Sequence, residues 1–252
     1  KTEATVTAVT DCGLLEESEG AMIVNLGASD MPPCLVCKKD GSSIYATRDL
    51  AAILYRKATY DFTKCLYVTG AEQKLHFSQV LKVIELMGND YADNLIHIPY
   101  GLVSLKEGKI SSRKGNVIFA EDILRESIGK TTRIIEEKNP NIPDKEEVAR
   151  QIGIGAIIFN DLYNQRIKDV VFDWDKLLNF DGETGPYVQY TYARASSILR
   201  KTGELPDVID YSLITDEASM GLLKEISRYP EVIKEAAESY EPFLISRYSI
   251  DM

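Results

Sequence analysis

Histidine is scarce in this chain: His76 and His97 are the only two in 252 residues. No Ser-His-Asp or Cys-His arrangement forms around them, so covalent catalysis by an activated serine or cysteine has no candidate. Cysteine is scarce as well. Cys34-Leu35-Val36-Cys37 has zinc-ribbon spacing, but no second C-x-x-C follows; Cys37 falls in a strand-like run and Cys65 heads another. Buried, inert thiols are expected of them, with no metal site, no disulfide framework and a reducing compartment. No apolar run approaches the ~18–20 residues that cross a bilayer, so no membrane partner is expected. No cationic leader with an apolar core opens the chain, and the cytoplasm is the expected location. Lys1 rather than Met stands first, as in a chain cut from something longer or processed. An excess of basic charge is also missing. The 29 Lys and Arg face 39 Asp and Glu, a net −10, which argues against a protein that coats nucleic acid. A local basic patch that meets RNA stays open. Low-complexity tracts are absent, and the length suits about two domains.

What the chain does contain is concentrated in Gly101–Phe119, GLVSLKEGKISSRKGNVIF. A strand-like apolar run, Leu95–Ser104, leads in, and a helical pattern from Ala120 leads out. Between them Lys109, Arg113 and Lys114 stand with the hydroxyls of Ser111 and Ser112 in six residues. That set suits a polyanion, most simply a phosphate chain, and Gly115 permits close backbone approach. The Walker A pattern is absent. A solvated basic turn is the alternative.

The chain in order places residues 1–20 in a helix end and loop, with short strands at Ala21–Leu26, Cys34–Lys38 and Ser43–Tyr45 and a hairpin signal at Asp40-Gly41. Thr47 is a plausible N-cap for a helix to Tyr60. Tyr45 and Asp49, four residues apart, offer an aromatic wall and a carboxylate to a cationic ligand. Alternatively, Asp49 favours the helix dipole and Tyr45 is core. A strand at Lys64–Thr69, then Gly70, then a helix to Met87 with apolar Leu75, Val80, Val83, Ile84 and Leu86 forms a strand–glycine–helix crevice. There Gly70 admits close approach, Glu72 can accept from ribose hydroxyls, Gln73 offers donor and acceptor, and His76 lies one turn on. His76 as a hydrogen-bonded structural residue is equally open, and His97 reads as structural. The backbone around Tyr100–Val103, Gly101 and Val103 in particular, is a candidate for adenine hydrogen bonds.

Ala120–Lys138 reads as a helix, broken by Asn139–Asp144, and the domain boundary is expected here, dividing 1–140 from 141–252. Long helical patterns and few strand signals follow. Glu146–Tyr163 is helical, with Gly153 and Gly155 marking weakness or close packing. A glycine-rich loop, Asn179–Pro186, opens a helix to Lys201 on which Tyr187, Tyr190 and Arg194 share a face. Aromatics beside a cation can stack unpaired bases; packing within a helical bundle is the alternative. Residues 216–240 add at least one helix.

Lys109-Ile110-Ser111-Ser112-Arg113 resembles the K-M-S-K-S signature of class I aminoacyl-tRNA synthetases, and GKISSRKGNVI resembles the arginyl-tRNA synthetase form of it. Ser112 replaces the second lysine and Lys114 restores one nearby. YATRDLAAILYR, YVTGAEQKLHFSQV, HIPYGLVSL and FDGETGPYVQYTYAR extend the resemblance from about Ala21 to Tyr248. It implies an α/β fold: the second half of a Rossmann-like parallel-sheet catalytic domain, then an all-α helical-bundle anticodon-binding domain. It also implies ATP-dependent activation of L-arginine, with Mg²⁺ accompanying ATP, and transfer to tRNA(Arg) by a monomeric parent protein. Tyr45, Asp49 and Gln73 would bind arginine, Asp49 pairing its guanidinium. Gly70, Glu72 and His76 resemble the GxxQxxH segment lining the ATP site. Lys109, Ser111 and Lys114 would hold the departing pyrophosphate, and Tyr187, Tyr190 and Arg194 would meet tRNA. Catalysis would rest on positioning and electrostatics at phosphorus, with no protein nucleophile. The family's H-I-G-H signature is absent, so the chain by itself is expected to be inactive. A non-catalytic RNA-binding module and a related class I enzyme, such as that for cysteine, are the rivals.

Overall fold

The computed structural model describes residues 2–105, 108–109, 119–204, 207–208 and 210–252, with side chains at all of these except 105, 108 and 109. The chain divides into two compact units, Lys1–Tyr100 and Gly101–Met252.

The first unit opens with α1 (Thr2–Asp11), then β1 (Leu15–Ser18), β2 (Ala21–Val24) and β3 (Cys34–Cys37) in one antiparallel sheet of that order. β1 occupies a stretch whose sequence reads as loop. Ser18 pairs with Ala21 across Glu19-Gly20, and both loop residues have positive φ, 52° and 84°. That is the two-residue hairpin geometry matched to strand twist, reached here with Glu where Asn or Asp usually signals it. The Asp40-Gly41 turn is present: Gly41, φ 76°, donates to the Lys38 carbonyl at 2.9 Å. Its outgoing arm is a single bridge, Cys37 to Ser43, in place of the anticipated strand Ser43–Tyr45.

α2 (Tyr45–Tyr60) starts two residues before the anticipated cap. Thr47 is the third helical residue: its Oγ1 accepts from the Ile44 N–H at 3.2 Å and donates to the Val36 carbonyl, fully buried. A hydroxyl that satisfies an orphan helix donor and a strand carbonyl together locks the helix start to β3. β4 (Cys65–Gly70), α3 (Lys74–Leu86) and β5 (Leu95–Tyr100) follow, with β4 and β5 parallel and paired from Cys65↔Leu95 to Gly70↔Tyr100. α3 buries Phe77, Val80, Val83 and Ile84, on one helical face, whereas Leu75 and Leu86 are exposed. These side chains join Val9, Val24, Val36, Leu50 and Ile53 in one core. Because both strands end at the same edge, Gly70 and the turn after it stand at the carboxyl end of a parallel pair, where open α/β sheets bind ligands.

The second unit centres on β6 (Val103–Leu105), antiparallel to β7 (Gly108–Lys109) and, on its other side, parallel to a strand formed 65 residues later. Between them come α4 (Ala120–Lys138) and α5 (Lys145–Tyr163). That late strand, β8 (Val170–Phe172), is only three residues long, and the sequence carries little strand signal there. α6 (Trp174–Leu177), α7 (Gly185–Thr202), α8 (Glu217–Ser227), α9 (Tyr229–Ser239) and α10 (Phe243–Asp251) complete it. α4 and α5 cross closely. A Cβ at Gly153 would stand 2.9 Å from the Ile128 nitrogen, and Ser127 Oγ donates to the Gly153 carbonyl at 2.8 Å. Gly185 opens α7 against Gly155 of α5 in the same way, its added Cβ falling 2.8 Å from the Gly155 oxygen. The two glycines of α5 mark close packing, not weakness. Among the described residues no helix is long and apolar enough to cross a membrane.

Candidate active site

β4 ends at Gly70, and the turn Ala71–Gln73 presents Glu72 and Gln73 to solvent before α3 begins. Gly70 has φ −61°, open to any residue, so its lack of a side chain matters for space instead. A Cβ there would stand 2.3 Å from each carboxylate oxygen of Glu72, which folds back over the Gly70 backbone.

Tyr45 and Asp49 lie one turn apart on α2, and Tyr45 is 78% exposed. The Arg48 guanidinium carbon sits 5.9 Å from the Tyr45 ring centroid, so the ring already accommodates a planar cation. Asp49 does not face solvent unaided: its Oδ2 lies 2.6 Å from Nε2 of His76, in the first turn of α3. The sequence assigned these two side chains to different ligands, and no periodic pattern links positions 27 residues apart. His76 meets Phe77 edge-on at 5.2 Å, Phe77 stacks on His97 at 4.7 Å, and His97 Nε2 is 2.9 Å from Thr69 Oγ1. His97 is the structural residue its position in β5 indicates. Asp49, His76, Gly70, Glu72, Gln73 and Tyr45 all belong to the first unit.

Gly101 and Val103 belong to the second unit. The Gly101 N–H donates to the Arg166 carbonyl at 2.7 Å and the Leu102 N–H to Asp169 Oδ1 at 2.7 Å, while the Leu102 carbonyl accepts from Val170. A Cβ at Gly101 would lie 2.3 Å from the Lys168 oxygen. Glycine at 101 therefore serves a close crossing of two backbone segments, and both donors are engaged within the protein. Val103 opens β6. Lys109 is described by its backbone in β7, and Ser111 and Lys114 lie outside the described residues.

Thr184 caps α7, accepting from the Tyr187 N–H at 3.3 Å and donating to the Asn179 carbonyl. Tyr187 and Tyr190 are 37% and 53% exposed, and the Arg194 guanidinium carbon lies 5.7 Å from the Tyr190 ring centroid. Tyr192, absent from the sequence candidates, is more exposed still. Cys34 and Cys37 are buried in β3, and burial pushes the Cys34 thiol up to about 11. Among the described residues no three His, Cys, Asp or Glu side chains converge as metal ligands.

The family model described as the catalytic domain of class I (R) tRNA synthetases matches residues 2–174, and the DALR anticodon binding domain matches 188–252. Arginine–tRNA ligase of Halothermothrix orenii is 54% identical over 95% of the chain and 43% of its own length. That of Clostridium botulinum (strain Langeland) is 50% identical over 100% of the chain and 45% of its own length. The chain thus spans under half the length of these curated relatives. Thermus thermophilus arginyl-tRNA synthetase superposes with a TM-score of 0.89 at 25% identity, over 99% of this chain and 48% of that one. The Plasmodium falciparum arginyl-tRNA synthetase shares the fold, with a TM-score of 0.83 at 22% identity over 99% and 43%.

Proposed function

The chain belongs to the class I arginyl-tRNA synthetase family, and from that premise we propose that the protein containing it activates L-arginine with ATP and transfers the arginyl group to tRNA(Arg). One observation carries the reading. A catalytic-domain match over 2–174 is followed along the chain by an anticodon-domain match over 188–252.

Within this reading Asp49 pairs the arginine guanidinium, Tyr45 packs against it and Gln73 supplies amide contacts from the turn after β4. Gly70 admits ATP close to the backbone, Glu72 accepts from its ribose, and Gly101 and Val103 belong to the adenine side. Lys109, Ser111 and Lys114 neutralise the charge that gathers on pyrophosphate as it leaves, and the face of Tyr187, Tyr190 and Arg194 meets unpaired tRNA bases. The nucleophile in each step is a substrate oxygen: the arginine carboxylate attacks the α-phosphorus of ATP, and a tRNA hydroxyl then attacks the activated carbonyl. The protein's share is to hold these groups in line. Mg²⁺ is proposed to arrive with the ATP phosphates; as no ligand set for it stands among the described residues, no step is derived through it. The cytoplasm and a monomeric state complete the proposal.

The test is arginine charging of a total tRNA pool by the 252-residue chain and by the full-length protein. Charging by the full-length protein alone is expected, because the chain has no H-x-G-H signature. Charging by the chain itself refutes the claim that it is inactive alone, and arginine left uncharged by both refutes the ligase reading.

A further inference from the structure

We infer that His76 is a positioning residue of the arginine pocket: it holds the Asp49 carboxylate in the orientation that receives the guanidinium. The inference rests on the proposed role of Asp49 and reassigns His76, which the sequence resemblance places on ATP.

The geometry points this way in three respects. First, the contact is short, 2.6 Å, and joins α2 to the first turn of α3. An aspartate on a helix surface otherwise samples several rotamers, and a donor fixed on another element selects one. Second, the donor is itself fixed. The His76 ring packs edge-on against Phe77, which is 4% exposed and stacked on His97, which in turn contacts Thr69. The imidazole is thus braced from the core side and can deliver its Nε2–H to one place. Third, the pair leaves capacity for a ligand. Only Oδ2 is engaged among the described residues, so Oδ1 and the second lone pair of Oδ2 remain for guanidinium N–H groups. Both side chains keep partial access to solvent, 27% for His76 and 35% for Asp49, as a site entered by substrate requires. The hydrogen bond therefore orients the carboxylate while leaving Oδ1 open to a ligand.

The experiment measures arginine and ATP dependence of pyrophosphate exchange in the full-length protein, with tRNA present. His76→Ala is expected to raise KM for arginine about 10- to 100-fold, the loss typical of a charge-assisted hydrogen bond, with KM for ATP within about twofold of wild type. His76→Gln, whose side-chain amide places a donor near the former Nε2, is expected to recover most of that loss. Circular dichroism confirms that both variants fold. A rise in KM for ATP with arginine unaffected assigns His76 to the nucleotide and overturns the inference. So do unchanged constants, a parallel rise of both, or a Gln variant as impaired as Ala. The underlying reading fails separately: in that case wild type gives no arginine-dependent exchange, or Asp49→Asn leaves KM for arginine where it was.

Discussion

Cys34 and Thr47 show how a single residue's role follows from what encloses it. Despite its zinc-ribbon spacing, Cys34 reads from the sequence as a buried, inert thiol; the side chain is 1% exposed in β3, and burial raises its thiol to about 11. The thiolate is the reactive form, so at pH 8 only about one Cys34 in a thousand is ionised, and that fraction grows only as pH climbs toward 11. Cys12 is exposed. Iodoacetamide at pH 8 is therefore expected to label Cys12 of the native chain and spare Cys34, which reacts once urea unfolds the protein; mass spectrometry of the digested product decides. Equal labelling of both in the native state would contradict the buried assignment. Thr47 reads as a helix cap from sequence because hydroxyl residues favour that position. It is instead the third helical residue, and its hydroxyl also reaches the Val36 carbonyl of β3, a partner no local pattern reveals.

At the scale of elements, the long helices are legible in the sequence almost to the residue. Ala120–Lys138 is observed as anticipated, and Glu146–Tyr163 starts one residue earlier. Both carry an apolar stripe and end at Asn, Pro or Asp signals. The short strands are the ones misread, β1 and β8 above all, since three or four residues hold too little alternation to stand out from loop. What sequence left open in α5 was the meaning of its glycines. Gly153 costs about 1 kcal/mol of helix propensity relative to Ala, but an added Cβ meets the Ile128 backbone at 2.9 Å, and backbone cannot step aside as a side-chain tip can. For Gly153→Val the second effect dominates, and a net loss of about 1–3 kcal/mol is expected. The urea midpoint of the chain measures it; a midpoint equal to wild type would mean that α4 and α5 separate without cost.

At the scale of the whole molecule, the net charge of −10 bears on the proposed RNA partner. A polyanion can approach only where basic groups are gathered, so recognition should involve few phosphates. Binding of tRNA(Arg) to the full-length protein is expected to weaken about 10- to 100-fold between 50 and 200 mM NaCl, less than for a protein that coats RNA, with poly(U) a poor competitor. Filter binding across that range tests it, and an affinity independent of salt would place recognition away from phosphates. The sequence by itself determined the kinds of chemistry present: a basic hydroxyl-rich loop, an aromatic–carboxylate pair, a strand–glycine–helix turn and the ordered segments that link them to one family. It could do so because each is local, written in residues within a turn or two of one another. The tertiary structure alone decided that Asp49 meets His76, 27 positions away, that Gly101 is small because Lys168 crosses it, and that β8 completes the sheet of β6. Those contacts are set by how parallel strands and their crossover helices bring distant segments to one edge, and composition and periodicity do not encode that distance.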